Sequence, residues 1–152
     1  MDFNLVAAIV AGCAGTAAMT AMMMVAPMMG MPKMDMPNLL SLVSGKPGDK
    51  RRGMVIHFVL GVVFALVYAL LFKAIDSDVI ILGVIIGAVH GLALAMMMGQ
   101  ILGVFIKKVL NAPVVDNFLP SSGGMMGIAG MVIGHAVFGL VVGIVYKLVA
   151  EA

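Results

Sequence analysis

The sequence predicts an all-α, integral membrane four-helix bundle built from a tandem duplicated helix pair, and three observations carry that prediction. First, 63% of its 152 residues are hydrophobic and 11% are charged, whereas about a quarter of a soluble domain is charged. Second, four apolar stretches, residues 5–26, 53–72, 79–106 and 125–149, each meet or exceed the roughly 20 residues that a helix needs to cross a hydrocarbon core of about 30 Å. Third, one stripe occurs twice, as His57, Gly61, Ala65 and Tyr68 and again as His135, Gly139, Gly143 and Tyr146. Steps of four, four and three residues keep each stripe on a single helix face. Residues 1–152 therefore read as one transmembrane domain.

The first helix is built of small residues, Ala7, Ala8, Ala11, Gly12, Ala14, Gly15 and Ala18, which let a neighbouring backbone approach closely. Cys13, the single cysteine, reads as one more small buried residue. The helix turns to methionine at Met19 and Met22 to Met24, and Pro27 ends the apolar run. Residues 28–45 form an interfacial segment, in which Asp35 caps a short apolar turn and Gly45 stops it. A basic hairpin, Lys46 to Arg52, leads into the second helix. Asp78 is placed to cap the third. On one face of that third helix lie Gly83, Gly87, His90, Leu94 and Met97.

Positive charge sets the topology. Lys33, Lys46, Lys50, Arg51, Arg52, Lys107 and Lys108 fall in the two longer loops, against Lys73 and Lys147 on the other side. Both longer loops are therefore expected in the cytoplasm and both termini outside. A net charge of +2 gives no reason to expect nucleic acid as a partner. The expected partners are the lipid bilayer and other membrane subunits or a second copy of the chain.

The flanks of the two stripes also agree, Gly53-Met54-Val55-Ile56 before His57 and Gly130-Met131-Val132-Ile133 before Gly134-His135. Two helix pairs in tandem share an orientation, so their pseudo-symmetry axis runs along the membrane normal. Gly12 to Thr20 with the following methionines, the loop Gly30 to Pro37, His57 to Gly61 and Gly134 to Gly139 resemble a family of small four-helix bacterial membrane proteins known as a domain of unknown function. The resemblance covers nearly the whole chain and implies a multi-pass protein of the bacterial cytoplasmic membrane; it implies no catalytic role.

His57, His90 and His135 are the only histidines, and each falls in an apolar stretch, where an ionisable side chain is costly. At about 1.5 Å of rise per residue, His57 lies near the cytoplasmic helix ends, which favours a structural role. His90 and His135 lie deeper, at levels that tilt can equalise. Those two are the candidate ligands of a b-type haem or the hydrogen-bond partners of a quinone, with Gly87, Gly91, Gly134 and Gly139 making room for a flat ring. The 17 methionines suggest copper handling, since thioethers and imidazole are soft ligands for Cu(I); His57, Met22 and Met97 are the candidates. Against each reading stands a structural one: histidines that hydrogen-bond a backbone carbonyl or a tyrosine, and methionines that fill gaps. Gly61, Ala65, Gly83, Gly87, Gly139 and Gly143 are expected to pack helices. Tyr68 and Tyr146, toward the outer helix ends, read as aromatic-belt anchors.

The sequence carries no Ser/His/Asp arrangement, no carboxylate pair and no HExxH helix, so no catalytic residue is assigned. The expected function is a non-enzymatic accessory or structural subunit of a larger membrane complex. Alternatives are a haem- or quinone-binding electron-transfer subunit using His90 and His135, and a copper-handling protein using the methionine-rich half.

Overall fold

The computed structural model describes residues 2–31, 33, 35–75, 77–97 and 124–152. Within them the chain forms α1 (Leu5–Val25), a 3-10 turn (Ala26–Met29), α2 (Met36–Val43), α3 (Lys50–Ala74), α4 (Val79–Met97) and α5 (Gly124–Ala150). Among the described residues the regular structure is all helical, and four helices are long and apolar enough to cross a membrane. Large apolar side chains such as Val6, Leu70, Ile81, Val89 and Leu148 stand exposed around the bundle, as they must where lipid rather than water is the solvent. The part of the third apolar stretch beyond Met97 and the loop after it, with Lys107, Lys108, Pro113 and Pro120, lie outside the described residues.

Local chemistry sets the helix ends. The Asn4 side chain accepts from the Ala7 N–H at 3.0 Å and so opens α1. Pro27 does not stop the helical path at once. It sits at the start of the 3-10 turn, where a missing N–H costs nothing, and Gly30 ends that turn with a left-handed φ of 81°. Asp35 caps α2 through the Asn38 N–H. Asp49 caps α3 through the Arg52 N–H at 3.2 Å, so α3 begins at Lys50 and absorbs Lys50 to Arg52 into its first turn. Those three residues are thus helical rather than part of a hairpin.

Asp78 opens α4 by accepting from the Ile80 and Ile81 N–H groups at 2.9 and 3.1 Å. Those bonds, Ile81 first and Ile80 second, hold its carboxyl below the usual value of 3.8. A lowered carboxyl pKa adds stability above the unfolded value and loses it as pH falls through the folded one. The thermal midpoint is therefore expected to drop on acidification past the ordinary aspartate range, and Asp78→Ala should flatten that step in a pH series of melts. An unchanged acid limb would show that the cap does not contribute.

Close backbone approach defines the packing. Along α4 and α5 the register is strictly antiparallel: a Cβ on Gly83 would strike the Gly139 carbonyl, one on Gly87 the His135 carbonyl, one on Gly91 the Met131 carbonyl and one on Gly143 the Val79 carbonyl. In the other pair a Cβ on Gly61 would strike the Thr16 hydroxyl, and one on Gly12 would meet Val62 Cα and Ala65 Cβ. The small residues of each stripe therefore pack on the long helix that precedes it. The two pairs join through α1 and α5, where Gly15 receives Phe138 and Val142 and Gly134 faces Met22 and Met19. By contrast α3 and α4 hardly touch, and the space between them is where the histidines gather.

Two sequence expectations are corrected here. Cys13 is exposed on α1 rather than buried, because one step past Gly12 rotates a side chain by roughly 100°, away from α3. Tyr68 and Tyr146 are 2% and 1% exposed, which is core and not interface. They join Phe72 and Phe138 in an edge-to-face aromatic cluster with centroids 5.6 to 6.3 Å apart. Burial is tolerable because each hydroxyl finds a partner: Tyr68 meets His90 Nδ1, while Tyr146 accepts from the Asn4 N–H and donates to the Asp2 carbonyl.

Candidate functional site: a histidine cleft between α3 and α4

A cleft of about 270 Å³ opens between α3 and α4. Its wall on α3 is His57, Leu60, Gly61 and Phe64; its wall on α4 is His90, Leu94 and Met97. The back is made by Thr16 and Met19 of α1 with His135 and Phe138 of α5, and Met36 and Leu40 of α2 close one end. α2 is held there by Lys50 Nζ, 2.7 Å from Asp35 Oδ2, and by Pro37, whose carbonyl occupies the space that a Cβ on Gly53 would need. Such a volume lies near the lower limit of small-molecule sites, which are mostly apolar with a few placed polar groups.

The three histidines share this cleft, although sequence depth had set His57 apart. His90 and His135 are in direct edge-to-face contact, with ring centroids 4.7 Å apart and planes at 69°. Phe64 also packs against His90, with ring centroids 4.2 Å apart. His90 Nδ1 lies 3.0 Å from the Tyr68 hydroxyl on α3, a link between two helices that otherwise scarcely meet. His135 Nδ1 lies 2.8 Å from the Met131 carbonyl one turn earlier. The remaining nitrogens differ: His57 Nε2 and His90 Nε2 are buried, and among the described residues neither has a hydrogen-bond partner. An unpartnered buried polar atom costs about 1–3 kcal/mol.

Of the residues considered for copper, His57 and Met97 line the cleft, whereas the end of the Met22 side chain faces Gly134 on the other side of α1. The thioethers that do join the cleft are Met19, Met36 and Met97. Met36 is brought in by α2, a placement that spacing along the chain does not reveal. Among the described residues no group of three or more His, Cys, Asp or Glu side chains is arranged to hold a metal ion. The glycines considered for a macrocycle are occupied otherwise. Gly87, Gly91 and Gly139 lie against the facing helix backbone, and Gly134 faces α1.

The match that places this architecture spans the chain from residue 3 to residue 152. The chain belongs to a family of unknown function, DUF6789. Family membership thus covers all four membrane helices and the cleft between them, and it assigns the cleft no activity. Neither a curated protein nor a solved structure gives a significant match.

Proposed function

We propose that the chain is a non-enzymatic membrane subunit or accessory protein whose histidine cleft holds a lipid-soluble small molecule, with a quinone-type headgroup as the class that fits best. One observation carries this reading: His57 Nε2 and His90 Nε2 are buried, without partners among the described residues, beside an apolar cleft. Native proteins keep few such atoms, and a ligand with oxygen acceptors removes the penalty. The aromatic walls Phe64 and Phe138 suit a flat ring. A haem held between His90 and His135 suits the geometry less well, because rings 4.7 Å apart in edge contact leave no space for a porphyrin plane between them.

A second reading is Cu(I) binding, favoured by the meeting of Met19, Met36 and Met97 with three imidazoles. The two readings separate in one experiment on protein purified in mild detergent, read by lipid extraction with mass spectrometry, visible absorbance and metal analysis. The expected result is a co-purifying quinone-type molecule near one per chain, depleted in His90→Phe. Stoichiometric copper would favour the second reading, and a Soret band would favour haem. Absence of any small molecule, together with failure to bind an added short-tailed quinone, would overturn the proposal.

The same reading takes residues 1–152 as one transmembrane domain made of two tandem duplicated pairs. Support comes from the recurring stripe, whose small residues in each half pack on the preceding long helix. The proposed setting is a bacterial cytoplasmic membrane with both termini outside. Lys50, Arg51 and Arg52 at the start of α3 support that orientation, since basic residues favour the cytoplasmic side.

A further inference from the structure

We infer that the cleft reads a proton on its ligand and selects an aromatic hydroxyl, so that the quinol form binds in preference to the quinone; this rests on the small-molecule reading above. The argument starts from the partners of the two touching imidazoles. A backbone carbonyl only accepts, so the 2.8 Å contact between His135 Nδ1 and the Met131 oxygen fixes the proton on Nδ1. The Nε2 of neutral His135 is then a lone pair, which accepts a hydrogen bond and donates none.

His90 is fixed in the opposite sense. The Tyr68 hydroxyl is buried, and His90 Nδ1, 3.0 Å away, is its partner. If Nδ1 carried the proton and donated to the tyrosine oxygen, the phenolic O–H would be left without an acceptor in the core. The arrangement that satisfies both groups has Tyr68 donating to Nδ1, which puts the His90 proton on Nε2. That N–H is one of the two buried nitrogens that have no partner among the described residues. Tyr68 acts here as a positioning residue.

The touching pair of rings therefore offers one donor, His90 Nε2–H, and one acceptor, His135 Nε2, with centroids 4.7 Å apart. A carbonyl oxygen accepts from His90 but has no hydrogen to give to His135. A hydroxyl both accepts and donates, so it answers both rings. Phe64 and Phe138 on the walls favour an aromatic carrier of that hydroxyl. Sites that hydrogen-bond a hydroxyl discriminate well against analogues lacking it, because the site's own polar group is otherwise stranded.

The test compares three probes on the full chain in lipid nanodiscs under anaerobic conditions: a short-tailed benzoquinol, the matching benzoquinone and the quinol's dimethyl ether, which keeps the ring and its acceptors but has no O–H. The quinol is expected to bind about tenfold more tightly than the quinone, as one added neutral hydrogen bond allows, with the ether no better than the quinone. In His135→Phe the preference for quinol over quinone should fall to within about twofold, as losing one neutral acceptor predicts. Equal wild-type affinity for quinol and quinone would overturn the inference and leave the ligand-binding proposal standing, and so would an ether that binds as tightly as the quinol. Binding of none of the three would remove both. The wild-type comparison decides the matter even if His135→Phe fails to fold.

Discussion

Gly139→Ala is expected to lower the unfolding midpoint sharply, while Gly134→Ala, five residues earlier on the same helix, leaves it nearly unchanged. At Gly139 the added methyl would fall on the Gly83 carbonyl and against Gly87 Cα. Backbone cannot rotate away as a side chain can, so α4 and α5 must separate along the whole run from Val79 to Gly91. Overpacking a well-fitted contact costs about 1–3 kcal/mol and sometimes more. Membrane helices also lack a hydrophobic drive to re-associate, so close van der Waals contact supplies much of the attraction that is lost. At Gly134 the nearest atom to the new methyl is Met22 Cε at 3.4 Å, the end of a flexible chain, and a gain of up to about 1 kcal/mol in helix propensity offsets any crowding. Denaturant or thermal unfolding in one detergent measures both. Equal midpoints for the two variants would mean that the α4–α5 backbone contact is not what holds the pair.

The helical faces were legible because the spacing of small residues at a period near four is a local property, and Gly61, Ala65, Gly139 and Gly143 carry it in plain view. Which helix each face meets is not local. The cleft exists because α1 packs on α3 and on α5 while α3 and α4 stay apart, and no spacing along the chain encodes that gap. His57 illustrates the point. Counting rise per residue puts it near the helix ends, yet α2 folds back beneath it and extends the enclosed volume to its level. Tyr68 and Tyr146 were misjudged for a related reason. Nearness to a helix end suggested the interface, but the decisive quantity was the availability of partners for their hydroxyls, which come from α4 and from the residues before α1. A signal was present in the pairing of each tyrosine with its stripe, since a residue on the packing face is more plausibly core than belt.

His57→Phe is expected to stabilise the ligand-free protein by about 1–2 kcal/mol while abolishing the ligand contact made by that ring. His57 is 8% exposed and its Nε2 lacks a partner among the described residues, so the folded state carries the cost of a stranded polar atom, about 1–3 kcal/mol. Phenylalanine removes that atom, and Phe58 and Phe64 show that aromatic rings are accommodated nearby; imperfect fit of the slightly larger ring takes back part of the gain. The sign of the change separates the two meanings of a buried histidine. A histidine that glues helices by hydrogen bonding destabilises when replaced, because its partner is left unpaired. One retained for a ligand stabilises when replaced, the exchange of stability for function expected of binding sites. Tyr68→Phe supplies the opposite case within the same cleft: it strips His90 Nδ1 of its donor and should destabilise by about 1 kcal/mol. Unfolding midpoints of the two variants, measured without and with added quinol, test both signs. If His57→Phe destabilises as Tyr68→Phe does, His57 belongs to the scaffold and the ligand site contracts to His90 and His135.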